Sequence, residues 1–392
     1  MRLFVAIATA GMVAGQQPGP LAPEVLQLAK IRERMALNLA RQPNYTCIET
    51  VERSHRTGTA RKFQLLDIIR LEVALVEGKE LFAWPGSKKF EEGELRDMIT
   101  QGTIGNGNFA NHARAVFQSG SAQFKYGGEE GGALRYDFRV PQMLSGYNLR
   151  VETREAIVGY HGSFWADSRS LDVRRLEVIA DDIPPSLGLS AAADRMDYAR
   201  VAIGDGDFLL PGSSELLMTS LDGAENRNRV RFTGCRQFSG ESVLTFGDAP
   251  GSSERSPRPV EEISMPADLA LRLTLLDDID LRSSAVGDPV RARLENDLRH
   301  KNRLLFPKGS IVTGRISRME RHEHYTALGI ELLEIQSASA SAKLKARLEE
   351  VVAPQALGPA ARGRAANPGE GIVPVDSSRT KLSHGILMFW RT

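Results

Sequence analysis

After Pro43 the apolar residues of this chain come in short, regularly broken runs, and this spacing limits the fold more than any other feature. TCIETVERSHR, KFQLLDIIRLEVALVEGKELFAW, LRYDFRV, YNLRVETREAIVGYHGSFWAD, VRRLEVIAD, MDYARVAIGDGDFLLP, ELLMTS and NRVRFTGCRQFSGESVLTFG are separated by glycine, proline, asparagine or aspartate. That punctuation predicts an antiparallel sheet. Within it Leu176, Val178 and Ala180 alternate with Arg175, Glu177 and Ile179, as in a strand with two unequal faces. Ahead of the strands, residues 22–40 place Val25, Leu28, Ile31, Met35 and Leu39 on one helical stripe. Pro23 suits the first turn and Pro43 lies just past the end.

Residues 90–120 interrupt the strands with a helical stretch from Glu91 to Thr100, a glycine-rich turn, and a second helical stretch from Ala110 to Phe117. The turn, GTIGNG, lacks the Lys-Ser/Thr pair of a phosphate loop and the full dinucleotide glycine spacing. It reads as a helix-loop-helix cover.

The N-terminus sets the compartment. MRLFVAIATAGMVAGQQPGP has Arg2, an apolar run from Leu3 to Ala14, and a break at Gln16, Gln17 and Pro18, with small residues before a cut after Gly15. This is the shape of a signal peptide over residues 1–15 with no lipoprotein cysteine, predicting a periplasmic or secreted chain. No run reaches the roughly 20 apolar residues of a membrane helix. With a net charge of +1 the chain has no global field for nucleic acid or an anionic bilayer. Cys47 and Cys235 are the only cysteines, so an oxidising compartment allows one disulfide, and two buried unpaired thiols are the alternative.

Several motifs invite a chemical reading. His161 and Ser163 share a strand face in YHGSFWAD, but no third group or oxyanion hole accompanies them, and the nucleophile elbow is missing. The stretch reads instead as a hairpin: EAIVGYHGSFWA ascends, DSRSL turns on Asp167 and Ser168, and DVRRLEVIA returns. His322, Glu323 and His324 offer two imidazoles without a third ligand at recognisable spacing and read as a solvated loop, so no metal or other cofactor is expected. Asp181 and Asp182 precede Ile183, Pro184 and Pro185 as a turn. Arg227, Arg229 and Arg231 share a face that either lines a cavity for an anionic head group or protects an edge strand.

Trp165, Ala166, Asp167, Arg175 and Leu176 resemble the hairpin of LolA/LolB-like envelope proteins. The order of helix, strands, helical interruption and strands is similar over residues 20–246. That resemblance implies an N-terminal helix and a curved antiparallel half-barrel covered by helices, whose concave face holds a lipid, acyl chain or peptide. YTCIETVERS, YHGSFWAD, DDIPP and YARVAIGDGDFLLP also resemble segments of uncharacterised exported bacterial proteins.

Residues 247–262, rich in proline, serine, glycine and charge, read as a linker. Residues 263–392 return to short strands with turns at Gly287-Asp288 and Pro307-Lys308-Gly309, predicting a small β-barrel or sandwich. AVGDPVRARL and LLFPKGSIVTGRI resemble the C-terminal domain of TrbI-like conjugative-channel components, over about 265 to 335, which implies an interaction module. Residues 351–376, rich in alanine, glycine and proline, read as a flexible loop, and KLSHGILMFWRT as a closing strand.

Together these features predict a mainly β (α+β) chain that binds rather than catalyses, with no assignable catalytic or ligand-binding residue. The second domain would recruit an envelope partner. The alternatives are a structural envelope scaffold, or an envelope hydrolase centred on His161 and Ser163.

Overall fold

The computed structural model describes residues 21–77, 79–87, 90, 111–151, 154–238, 261–352 and 369–392. The signal-peptide residues 1–15, the helical stretch 91–100, the GTIGNG turn and linker residues 247–260 lie outside them.

The chain opens with helix α1 (Pro23–Arg41). The next strands are β1 (Tyr45–Arg56), β2 (Gln64–Val76) and β3 (Lys79–Ala83), followed by helix α2 (Asn111–Phe117). Then come β4 (Gln123–Glu130), β5 (Ala133–Val140), β6 (Asn148–Val151), β7 (Arg154–Ile157), β8 (Gly159–Asp167) and β9 (Val173–Asp181). Long strands β10 (Leu189–Ile203), β11 (Gly206–Ser220) and β12 (Glu225–Gln237) follow. Among the described residues, ten of these strands form one sheet in the order β3-β2-β1-β12-β11-β10-β9-β8-β5-β4. The run expected as one ascending hairpin strand is split at Val158, and its first part, β7, pairs with β6 in a separate two-stranded sheet.

One face of the large sheet packs under the helices, because alternate residues on each strand are apolar and align across strands. Tyr136, Phe164, Leu176, Met196, Ser214, Val230, Val51 and Ile69 are direct neighbours in a single row across eight strands. Helix α1 covers the β4–β9 end of this inner face with Ile31, Met35 and Leu39, each worth roughly 2 kcal/mol of burial. Val25, on the same sequence stripe, stays exposed. Asn38 fixes the helix in place. Its amide donates to the Leu209 carbonyl at 2.9 Å and accepts from the Leu209 N–H at 2.8 Å, as a neighbouring strand would. Helix α2 packs beside α1 through Ala113, Val116 and Phe117.

Cys47 and Cys235 form a disulfide between the adjacent strands β1 and β12. Pairing shifts there, so that Cys47 opposes two residues of β12, and Gly234 takes the positive φ that such a bulge requires.

The second half contains β13 (Glu261–Glu262), β14 (Ala270–Leu275), β15 (Ile279–Asp280), β16 (Pro289–Leu294), β17 (Leu298–His300), β18 (Arg303–Phe306) and β19 (Ile311–Arg321). It ends with β20 (Tyr325–Gln336), β21 (Ala340–Lys343), β22 (Arg347–Val352), β23 (Glu370–Asp376), β24 (Lys381–Leu382) and β25 (Leu387–Arg391). Nine of these make a second sheet around its own apolar core, and neither large sheet closes into a barrel among the described residues. Two expected loops are corrected. Glu261 and Glu262, placed in the linker, pair in parallel with β21. The flexible loop 351–376 is bounded by strand at both ends, and in β23 alternation puts Val373 and Val375 fully inside while Pro374 sits opposite Ala327. Trp390 of the last strand is completely buried between β14 and β22.

The two sheets meet at the turn 285–288. β3 covers only residues 72–76 of β2, which leaves a free edge at residues 68–70. Val286 fills it, donating to the Ile68 carbonyl and accepting from the Arg70 N–H, each at 2.8 Å. Asp288 then takes both oxygens to the Arg70 guanidinium. Gly287 has φ +99°, and a Cβ there would lie 2.3 Å from the Arg70 carbonyl oxygen and 2.5 Å from the Trp84 ring, so no side chain fits. Arg315 closes the contact over the other part of Trp84, 4.8 Å from the ring centroid.

Candidate functional site

The sequence-selected pair His161 and Ser163 lies on the outer face, away from the helices, in an open cleft of about 870 Å³. β8 presents both side chains there because Tyr160, Gly162 and Phe164 take the opposite parity. The His161 Nδ1 is 2.6 Å from Asp181, which also faces Arg139. The Ser163 hydroxyl donates to Asp137 at 2.6 Å and accepts from Arg135 at 3.3 Å. Its proton is therefore committed to a carboxylate and not to the imidazole, and a serine so placed is not an activated nucleophile. Asp167 makes the turn, accepting from the Arg169 and Ser170 N–H groups at 2.9 and 2.7 Å. Those backbone bonds hold its carboxyl below the usual carboxylate range.

The other marked residues do not converge. His322 and His324 sit in the turn between β19 and β20, with the His322 ring stacked on Tyr325 at 4.5 Å. Asp182 follows β9 with φ +52°. Arg227, Arg229 and Arg231 lie on β12, which is interior to the sheet between β1 and β11, so edge protection does not account for them. Arg229 pairs with Glu215 at 2.9 Å, and Arg227 stacks on Phe63 at 3.9 Å.

A second polar group was not marked by the sequence patterns, and it lies on the inner face. Next to the apolar row runs another: Phe138, Gly162, Val178, Asp194, Leu216, Asn228, Arg53 and Asp67. Asp194 is 3% exposed and Asn228 3%. At the far end Arg53 and Asp67 form a two-point ion pair, with Nε to Oδ1 at 2.7 Å. On the other side of the apolar row lie Glu49, beside Leu71 and Phe232, and Tyr198. Helix α2 brings His112 to 3.5 Å from Asp194, and the His112 ring meets Tyr147 edge-on at 5.3 Å.

Electrostatics bind this group together. Burial pushes the Glu49 carboxyl up to about 8, and the Glu80 carboxylate adds to the shift. Burial and then Asp194 raise the Tyr198 and Tyr147 phenols well above their ordinary value. Burial and Glu80 do the same for Tyr45. At neutral pH the site therefore offers Glu49 mostly protonated and phenols that donate. The Asp194 Oδ1 and Tyr198 hydroxyl are buried and have no hydrogen-bond partner among the described residues. Such atoms are rare in a settled core. The signal in the sequence was parity: Glu49 falls in register with Tyr45 and Val51, and Asp194 with Ala192 and Met196, where apolar residues belong.

Among solved structures, the chain is similar to a LolA superfamily protein from Nitrosomonas europaea, at 10% identity over 54% of this chain and 94% of that one, with a TM-score of 0.28. It is also similar to a DUF1329 family protein from Desulfovibrio piger, at 11% identity over 57% of this chain and 96% of that one, with a TM-score of 0.30. No family model matches the chain, and no curated protein matches it. Among the described residues no helix is long and apolar enough to cross a membrane.

Proposed function

We propose that this chain is a non-enzymatic binding protein of the cell envelope that holds a lipid or other acylated ligand on the inner face of the ten-stranded sheet. The observation that carries this reading is the pair of buried polar atoms, Asp194 Oδ1 and the Tyr198 hydroxyl, without a hydrogen-bond partner among the described residues and next to the apolar side chains of Leu176, Met196 and Val230. A protonated Glu49 and a donating Tyr198 beside the Asp194 carboxyl suit a neutral head group with both donors and acceptors, such as a hydroxyl or an amide. Apolar neighbours such as Met196 and Phe232 suit the chain attached to it. The signal-like N-terminus and the Cys47–Cys235 disulfide support export to an oxidising compartment. The second sheet, with a separate core, would then be the module that meets an envelope partner.

The test is native mass spectrometry of the gently purified chain, with organic extraction of what co-purifies. A stoichiometric acylated species is expected, and its occupancy should fall in Asp194→Asn and Tyr198→Phe, which keep the side-chain shapes. A clean unliganded mass, together with no uptake of a fluorescent fatty acid amide, sinks the proposal; a co-purifying peptide replaces the lipid with a peptide ligand.

A further inference from the structure

The outer cleft is built separately from the inner face, and its chemistry differs. Its floor is a cross-strand row of Lys125, Asp137, Ser163 and Glu177, continued outside the cleft by Arg195. Ser163 is the smallest side chain in that row and 8% exposed, so a depression forms where longer neighbours stand around it. One wall carries Arg139 and His161, directly opposite each other on β5 and β8. The other carries Arg135 and Trp165, also directly opposite, with the guanidinium 5.7 Å from the ring centroid.

Three exclusions narrow the ligand. Lys125, Arg135 and Arg139 face Asp137, Glu177 and Asp181, so the cleft has no excess of either charge, and any ion entering it meets a like charge on an adjacent strand. A peptide bound as an added strand would pair in the plane of the sheet beside its edge strand β4 and not over the cleft floor, where β5, β8 and β9 have their backbone groups engaged with neighbours on both sides. An acyl chain needs a continuous apolar wall, whereas Phe124 and Phe138 of the lining pack into the inner-face core and polar side chains separate Trp165 from Ile179. What remains is a set of alternating donors and acceptors about 5 Å apart across strands, beside one half-buried indole. Lys125 makes no ion pair with a described residue, and the Arg139 side chain is 66% exposed, so both have donors available. We infer that this cleft binds a neutral saccharide, one sugar face against Trp165 and its hydroxyls hydrogen-bonded by Arg139, His161 and Glu177.

The experiment titrates the full chain separately with chitotriose, cellotriose and maltotriose, with trigalacturonic acid as the anionic comparison, by calorimetry and tryptophan fluorescence. At least one neutral trisaccharide is expected to bind saturably and to shift the emission. Trp165→Ala should weaken that binding by about 10-fold or more. Ser163→Leu, which fills the floor, should abolish it, and Met143→Ala, at a fully exposed position outside the cleft, should leave it unchanged. Arg139→Ala, at an exposed position, should also weaken binding and guards against a misfolded Ser163 variant. The inference is overturned if none of the three neutral sugars binds in the millimolar range, if trigalacturonic acid binds more tightly than all of them, or if binding survives undiminished in Trp165→Ala and Arg139→Ala.

Discussion

Glu49 couples the inner face to pH. Its carboxyl is raised by burial to about 8 in the folded chain, against 4.5 for the free group, so the folded state holds a proton that the unfolded state has released between those values. Stability is therefore greatest below the lower value and is lost as pH rises through about 8. Glu49→Gln should flatten this dependence, and thermal melts from pH 5 to pH 9 would show it; an unchanged slope means that Glu49 is ionised in the folded chain. The Arg53–Asp67 pair behaves differently, since the buried Arg53 meets a half-buried Asp67 already in place. Asp67→Ala should cost about 3 kcal/mol by removing the two-point ion pair from a buried guanidinium, and replacing both residues with leucine should cost less. Urea titration of the two variants distinguishes these outcomes.

The strands and their turns were the most legible elements, because what defines them is local. Asp167 could be read as a turn former from its neighbours alone, and its carboxylate does hold the two following N–H groups. Helix α1 was legible in the spacing of Ile31, Met35 and Leu39, while Val25, on the same stripe, stays exposed. β23 was missed because Pro374 and the surrounding alanines and glycines suggest a loop, although Val373 and Val375 keep the strand parity. The inner polar residues could not be recognised as a site, since their burial depends on α2 and on strands far away in the chain. Among the elements, β1 and β12 carry a further test. Their disulfide spans 188 residues, and loop closure on that length is worth about 5 kcal/mol in the chain-entropy estimate. Cys47→Ala with Cys235→Ala should lower the melting temperature markedly, and an equal melt for variant and parent would show that the bond does not form in solution.

The whole molecule depends on the turn 285–288 joining the second sheet to β2. None of this was visible in sequence, because Ile68 and Val286 are distant in the chain and the AVGDP turn looks like any other. Gly287→Val should force the turn away from Trp84, and Asp288→Ala should remove the carboxylate that pairs with the Arg70 guanidinium. Limited proteolysis between the sheets and a larger radius of gyration in solution scattering are the expected results; a Gly287→Val chain as compact as the parent would show that the contact does not hold the halves together. The strand order also sets the pace of folding. β1, the first strand, lies mid-sheet against β12, the last, so a chain emerging from its N-terminus cannot complete the sheet until residue 237 has appeared. The β1–β12 pairing thus gives the native sheet a high contact order, for which slow folding is expected, with strand edges open to other chains until β12 joins.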